Sequence, residues 1–131
     1  LKNIDALSIH APLNNETKNM VNYNFLKNLK KNSILINTAR GKIVNTNDVF
    51  RLLKENHLNY FATDVLEEEP PNNRNKLFKA WKNNENWIKN RVIITPHCAP
   101  FNRESYQELR TKAALEVKNF IETKKTKYSI F

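Results

Sequence analysis

Glycine is almost missing from the chain: one residue in 131, against roughly 7% in an average protein. That scarcity excludes a glycine-rich phosphate cradle such as G-x-G-x-x-G within these residues, because the turn needs three. Cysteine is as scarce. Cys98 stands alone, so no internal disulfide framework can form, which suits a reducing compartment. No apolar run is long enough to span a bilayer, and no secretory signal pattern opens the chain. A cytoplasmic protein without membrane association is therefore expected. No Cys/His spacing of a zinc site occurs, and no metal is expected. The chain starts at Leu1 and its only methionine is Met20, so a processed form or an excised piece is expected. Acid is the scarcer charge, 13 Asp and Glu against 22 Lys and Arg, for a net charge of +9. That balance raises the question of nucleic acid. However, the lysines of "LKNLKKN", "KAWKNNENWIKN" and "ETKKTK" are dispersed among asparagines and acids, and no helix shows a purely basic face with interleaved aromatics. A solvated surface in a Lys- and Asn-rich proteome accounts for the charge, and no nucleic-acid partner is expected.

What is present is a regular alternation, in a length sufficient for one domain with a core. "IDALSIH" reads as a buried strand closed by His10, "SILIN" as a second, "NYFATDV" as a third and "RVIITPH" as a fourth. Between them, "NYNFLKNLKKN" carries Phe25, Leu26 and Leu29 at helical spacing, and "NTNDVFRLLKENH" places Val49, Leu52 and Leu53 on one helix face. Asn45 is a plausible N-cap for that helix, with Asp48 as a weak capping-box partner. From Arg103 to about Thr123, the residues Tyr106, Leu109, Ala113, Val117 and Phe120 recur at helical steps, with "NRES" or "ESYQ" at the start. The final "KKTKYSIF" reads as a frayed tail or a segment that docks elsewhere. The long polar stretch between Pro70 and Arg91 is a surface excursion; its Trp81 and Trp87 pack as a helix on the domain or form an interaction surface. No internal repeat is visible.

Strands alternating with helices imply an α/β fold with a parallel sheet covered by helices, and near-continuous apolar strands imply burial on both faces. Such sheets bind ligands at the carboxyl ends of their strands. Attention therefore falls on His10 to Pro12, Thr38 to Arg40, Asp64 to Glu69 and His97 to Pro100. Singly these residues are ordinary: a surface arginine, a solvated loop acid, a turn histidine. Together, Arg40, Glu69 and His97 would make a catalytic set. A guanidinium grips a carboxylate by two parallel hydrogen bonds. An imidazole gives and takes a proton near neutral pH. A carboxylate on its other nitrogen fixes the tautomer and favours imidazolium. Reduction of a 2-keto acid needs these three groups plus a hydride, which only a cofactor supplies.

The motifs "HAPLNNETKNMV", "LKKNSILINTARGKIV", "ATDVLEEEP" and "VIITPHCAP", in that order over nearly the whole chain, resemble the nicotinamide-binding domain of the D-isomer-specific 2-hydroxyacid dehydrogenases. The resemblance implies a partial Rossmann-type dinucleotide-binding domain without its Gly-rich first half. Residues 1–131 would be the C-terminal part of that domain, with 103–131 a terminal helix and tail. It implies NAD as cofactor, with NADP left open, a 2-keto or 2-hydroxy acid as the small-molecule partner, and a homodimer in the full-length protein. By the same resemblance Arg40 binds the substrate carboxylate and carbonyl, His97 is the acid/base, and Glu69 pairs with it, leaving Glu67 and Glu68 as solvated neighbours. Asp64 would hold the nicotinamide carboxamide. Thr38 and Ala39, together with Arg40, would approach the nicotinamide half. His10, Ala11 and Pro12 would line the adenosine side, and His97, Cys98, Ala99 and Pro100 the nicotinamide side.

The chain departs from the family in carrying no pyrophosphate fingerprint, no residue that selects NAD over NADP and no substrate domain. The piece alone is expected to bind dinucleotide poorly, to be inactive, and to expose an apolar sheet edge and helix face unless something covers them. Pro100, where relatives carry small residues, would reshape the nicotinamide side. A dinucleotide-sensing corepressor on the same scaffold is the alternative function.

Overall fold

The computed structural model describes residues 1–127, and the chain divides into two compact units, Leu1–His97 and Cys98–Phe131. Residues 128–131 of the expected tail lie outside the described residues. In the first unit strands and helices alternate: β1 (Ala6–Ile9), α1 (Tyr23–Lys27), β2 (Ser33–Asn37), a 3-10 turn at Gly41–Ile43, α2 (Thr46–Lys54), β3 (Leu58–Thr63), α3 (Lys76–Lys82) and β4 (Val92–Ile94). The four strands form one parallel sheet in chain order. Parallel neighbours cannot be joined by tight hairpins, so each connection crosses over outside the sheet.

Burial differs sharply between the two faces. Leu35, Leu58, Phe61 and Val92 point to one face and pack with Leu26, Val49, Leu52, Leu53, Leu77 and Ala80 of the helices in a single core. The opposite face carries Ser8, Ile36, Ala62 and Ile93 in one cross-strand row, and Ile93 is 63% exposed. Burial on both faces, expected from the apolar runs, thus holds for one face only. β1 departs furthest: Ala6 and Ser8 are exposed and only Ile9 is buried, because the strand lies at the sheet edge with a single neighbour.

The shortage of glycine is met by asparagine. Asn19, Asn32, Asn56, Asn84 and Asn90 take the left-handed conformation at turns between elements. Asparagine tolerates this because its short amide can hydrogen-bond locally, at a smaller cost than other side chains. The one glycine serves a different need. Gly41 has no positive φ, but a Cβ there would sit 2.0 Å from the carbonyl carbon and oxygen of Leu66 and 2.5 Å from the nitrogen of Glu67. Two loops meet there backbone to backbone.

Asn45 caps α2, its side chain accepting from the N–H groups of Asn47 and Asp48. Asp48 does not return the bond as a capping box would. The N–H of Asn45 goes to the carbonyl of Val21, and Asp48 reaches across to accept from the N–H of Tyr23 at the start of α1, 2.9 Å away. The excursion holds one short helix, α3. Trp87 packs edge-on against Phe50, ring centroids 5.2 Å apart, whereas Trp81 lies against Phe78 and is 36% exposed.

The second unit is built on α4 (Arg103–Thr123), capped by Asn102, whose side chain accepts from Ser105, so "NRES" starts it. None of its residues is buried, and Leu109, Val117 and Phe120 of its apolar stripe are at least half exposed.

Replacing Gly41 by Ala forces the 66–67 backbone away and should cost about 2 kcal/mol or more. Urea unfolding followed at the β2 and β3 amides checks this; an unchanged midpoint would show that the loops can part freely.

Candidate active site

β2 delivers the first component. It ends in Asn37, 1% exposed, whose amide closes the following turn: Nδ2 donates to the carbonyl of Arg40 at 3.1 Å and Oδ1 accepts from the N–H of Ala39 at 3.1 Å. The main chain of Arg40 is thereby fixed while its side chain stays exposed, with Nη1 donating to the carbonyl of Ala39. Thr38 is exposed and Ala39 half-buried. Asn37 went unnoticed in the sequence, although a polar residue closing the apolar run "SILI" was the available signal.

β3 delivers the second component. Asp64, 5% exposed, follows the strand directly. Its N–H donates to the carbonyl of Asn37, and its carboxylate accepts the hydroxyl of Thr95. The loop then turns back, so that Glu69 Oε1 accepts from the N–H of Leu66 at 2.9 Å. β4 delivers the third. After Thr95 and Pro96 the chain bends sharply, the N–H of His97 donating to the carbonyl of Thr95. His97 has a φ of +52°, a left-handed conformation that histidine adopts more readily than most residues but that still costs energy. In that conformation His97 Nδ1 lies 2.6 Å from Glu69 Oε2. An ionised carboxylate only accepts, so Nδ1 carries the proton and Nε2 is left for another partner.

Burial of Glu69 pushes its carboxyl up. The hydrogen bonds from His97 and from the Leu66 N–H, with the charge of the imidazolium, outweigh that and the repulsion from Asp64, and hold Glu69 below the usual carboxylate range.

Arg40, Glu69 and His97, drawn from three strand ends, line one cavity of about 200 Å³ together with Gly41, Leu66 and Glu67 among others. A second cleft of about 540 Å³ adjoins it, sharing Leu66, Glu69 and His97 and adding Asp64, Thr95, Phe78 and Trp81. Of the other residues singled out in the sequence, His10 is exposed and its Nε2 lies 2.7 Å from the Ser8 hydroxyl. Ala11 is half-buried and Pro12 exposed. Cys98, Ala99 and Pro100 open the second unit and are exposed. Glu67 corrects the expectation of a solvated acid: both its oxygens are bound by Thr46, Oε1 by the N–H at 2.8 Å and Oε2 by the hydroxyl at 2.9 Å. A helix N-terminus with free N–H groups attracts such a carboxylate. Glu68 is exposed and accepts from Asn72. Among the described residues no group of three His, Cys, Asp or Glu could hold a metal ion, and no helix is long and apolar enough to cross a membrane.

A parallel, helix-covered sheet with its polar residues gathered at the carboxyl ends of the strands is part of a Rossmann-type domain. The D-lactate dehydrogenase of Lactobacillus jensenii, solved with NAD+, superimposes with a TM-score of 0.83 over 100% of this chain and 41% of its own, at 24% identity, which supports the fold. The family model "D-isomer specific 2-hydroxyacid dehydrogenase, NAD binding domain" matches residues 1–99, and the chain belongs to that family. A glyoxylate reductase of Aeropyrum pernix is 38% identical over 124 residues, 95% of this chain and 34% of the relative. One from Thermococcus litoralis is 40% identical over 121 residues, 92% and 33%. The D-lactate dehydrogenase of Aquifex aeolicus, solved with NAD and lactic acid, shares 30% identity at a TM-score of 0.72, covering 93% of this chain and 38% of that one. The chain thus spans about a third of the length of the curated relatives it matches.

Because Glu69 titrates lower folded than unfolded, its contribution to stability is complete above the unfolded value and is lost as the pH falls through the folded one. Carboxyl-carbon NMR titration should find Glu69 below an ordinary glutamate; a value at or above the ordinary one would mean that the pair with His97 does not hold in solution.

Proposed function

We propose that this chain supplies the catalytic edge of an NAD-dependent dehydrogenase that interconverts a 2-keto acid and the corresponding D-2-hydroxy acid. One observation carries the proposal: a guanidinium, an imidazole and the carboxylate bonded to that imidazole share a cavity large enough for a small acid. The relatives named glyoxylate reductases support a small 2-keto acid as the first substrate to try.

The donor set suits the nicotinamide end of the dinucleotide. Asp64 lines the cleft beside His97 and by the family pattern would meet the carboxamide, and Thr38 and Ala39 close the neighbouring strand end. His10, Ala11 and Pro12 on the adenosine side, and Cys98, Ala99 and Pro100 on the nicotinamide side, follow the family pattern. The pyrophosphate cradle is not among these residues, which hold a single glycine. When bound, the dinucleotide supplies the hydride that reduces carbon 2 of the keto acid, or accepts it in the reverse direction.

The residues of this chain handle the carboxylate and the proton. Arg40 holds the substrate carboxylate through paired N–H donors and draws electron density from the carbonyl. With Nδ1 committed to Glu69, His97 presents Nε2 to the carbonyl oxygen. It gives that oxygen a proton as the carbon is reduced and takes it back in oxidation. Glu69 stabilises the imidazolium and keeps the ring from turning. By the family resemblance, the intact protein pairs as a homodimer, which sedimentation would check.

The test uses the intact polypeptide that carries this chain, with NADH and glyoxylate. Arg40→Gln should raise KM about tenfold or more, with a smaller effect on kcat, because it removes binding to the carboxylate. His97→Gln should lower kcat by about a hundredfold or more, the usual worth of a positioned acid. A His97→Gln enzyme with near-normal kcat would overturn the assignment.

A further inference from the structure

The pair between Glu69 and His97 lies in the open. Their side chains are 38% and 44% exposed, and an ion pair that exposed is ordinarily weakened by water and by side-chain freedom. For it to persist, the loop that carries Glu69 must be held from elsewhere. The N–H of Leu66 holds one oxygen of Glu69 from within the loop. The external attachment is Glu67. Its carboxylate takes both donors of Thr46, the first residue of α2 and 2% exposed. The same hydroxyl accepts from Asn75 Nδ2 at 2.9 Å, the residue that caps α3. The Thr46 hydroxyl thus joins the acid loop, through Glu67, to Asn75 at the start of α3, directly beside the contact with Gly41.

We infer that Glu67 is a positioning residue for the acid/base pair: by tying its loop to the first turn of α2, it sets where the Glu69 carboxylate meets Nδ1 of His97. The inference rests on the reading of Glu69 and His97 as the acid/base pair. Glu67 borders the cavity it shares with Arg40, Glu69 and His97, and its carboxylate is held by Thr46 rather than by a substrate. Its effect reaches Glu69 through the single residue between them, Glu68. The charge of Glu67 matters less than its shape. A glutamine keeps an oxygen for the N–H of Thr46, while its NH2 can only donate to a hydroxyl that already accepts from Asn75, so it should still hold the loop chiefly through the N–H.

Two measurements separate this inference from the catalytic reading. In the 131-residue chain, NMR titration follows the Glu69 carboxyl and the His97 ring nitrogens without any need for activity. Glu67→Ala should move Glu69 upward toward an ordinary glutamate and shift the Nδ1 signal away from its hydrogen-bonded position, while Glu67→Gln restores both. Thr46→Val, which removes only the hydroxyl, should move them in the same direction by less, and it serves if Glu67→Ala does not fold. In the intact polypeptide, Glu67→Ala should lower kcat by about tenfold to a hundredfold with little change in KM, the cost of a small misplacement of a catalytic group. If Glu69 and His97 are unmoved in both variants while the amide of Thr46 shifts, Glu67 merely caps the helix and the inference fails. If the intact protein reduces no 2-keto acid but the titrations move as stated, the positioning stands and the catalytic reading fails.

Discussion

At Gly41 two loops touch with no room for a methyl group, and the rest of the site depends on that contact. One loop leaves β2 and carries Arg40; the other leaves β3 and carries Glu69. Their main chains can approach only because residue 41 lacks a Cβ. A side chain there would push the second loop outward and move Glu69 away from both Arg40 and His97. The chain is sparing with glycine, yet keeps one where steric exclusion, rather than backbone freedom, demands it. Five of its left-handed positions go to asparagine instead.

The parallel sheet explains why three residues far apart in sequence can meet at all. Parallel strands all end on the same edge, so residues that follow β2, β3 and β4 are neighbours whatever the length of chain between them. What the sheet does not do is aim the side chains. Aiming is local: the amide of Asn37 shapes the turn before Arg40, Leu66 receives Glu69, and a left-handed backbone at His97 points its ring toward the acid. Strain of that kind is tolerated where the surroundings over-determine it. The Glu69–His97 pair is too exposed to add much stability, so its worth lies in fixing a tautomer and an orientation.

The two faces of the sheet tell a related story. One is covered by the helices of this chain; the other exposes Ile93 and Tyr60. The apolar runs "SILIN" and "VIITP" are those of strands meant for burial on both sides.

Much was legible without coordinates. Four strands, the helices at Asn45 and Arg103, and the gathering of Arg40, Glu69 and His97 at one sheet edge follow from periodicity, capping residues and strand polarity, which are local or topological. Other features were not legible. Glu67, Glu68 and Glu69 are chemically identical neighbours; the family resemblance singled out Glu69 for His97, but only the folded loop shows that Glu67 ties down α2 instead of facing water. Asp48 sits where a capping box would place it, yet serves α1 instead, 25 residues away. Which face of the sheet is covered, and why the single glycine could not be replaced, likewise emerged only in three dimensions. The sequence by itself determined the elements and their order, because hydrophobic period and caps act within a few residues. The tertiary structure alone decided which donors Asp48 and Glu67 meet, because that depends on distances between chain segments that no local pattern encodes.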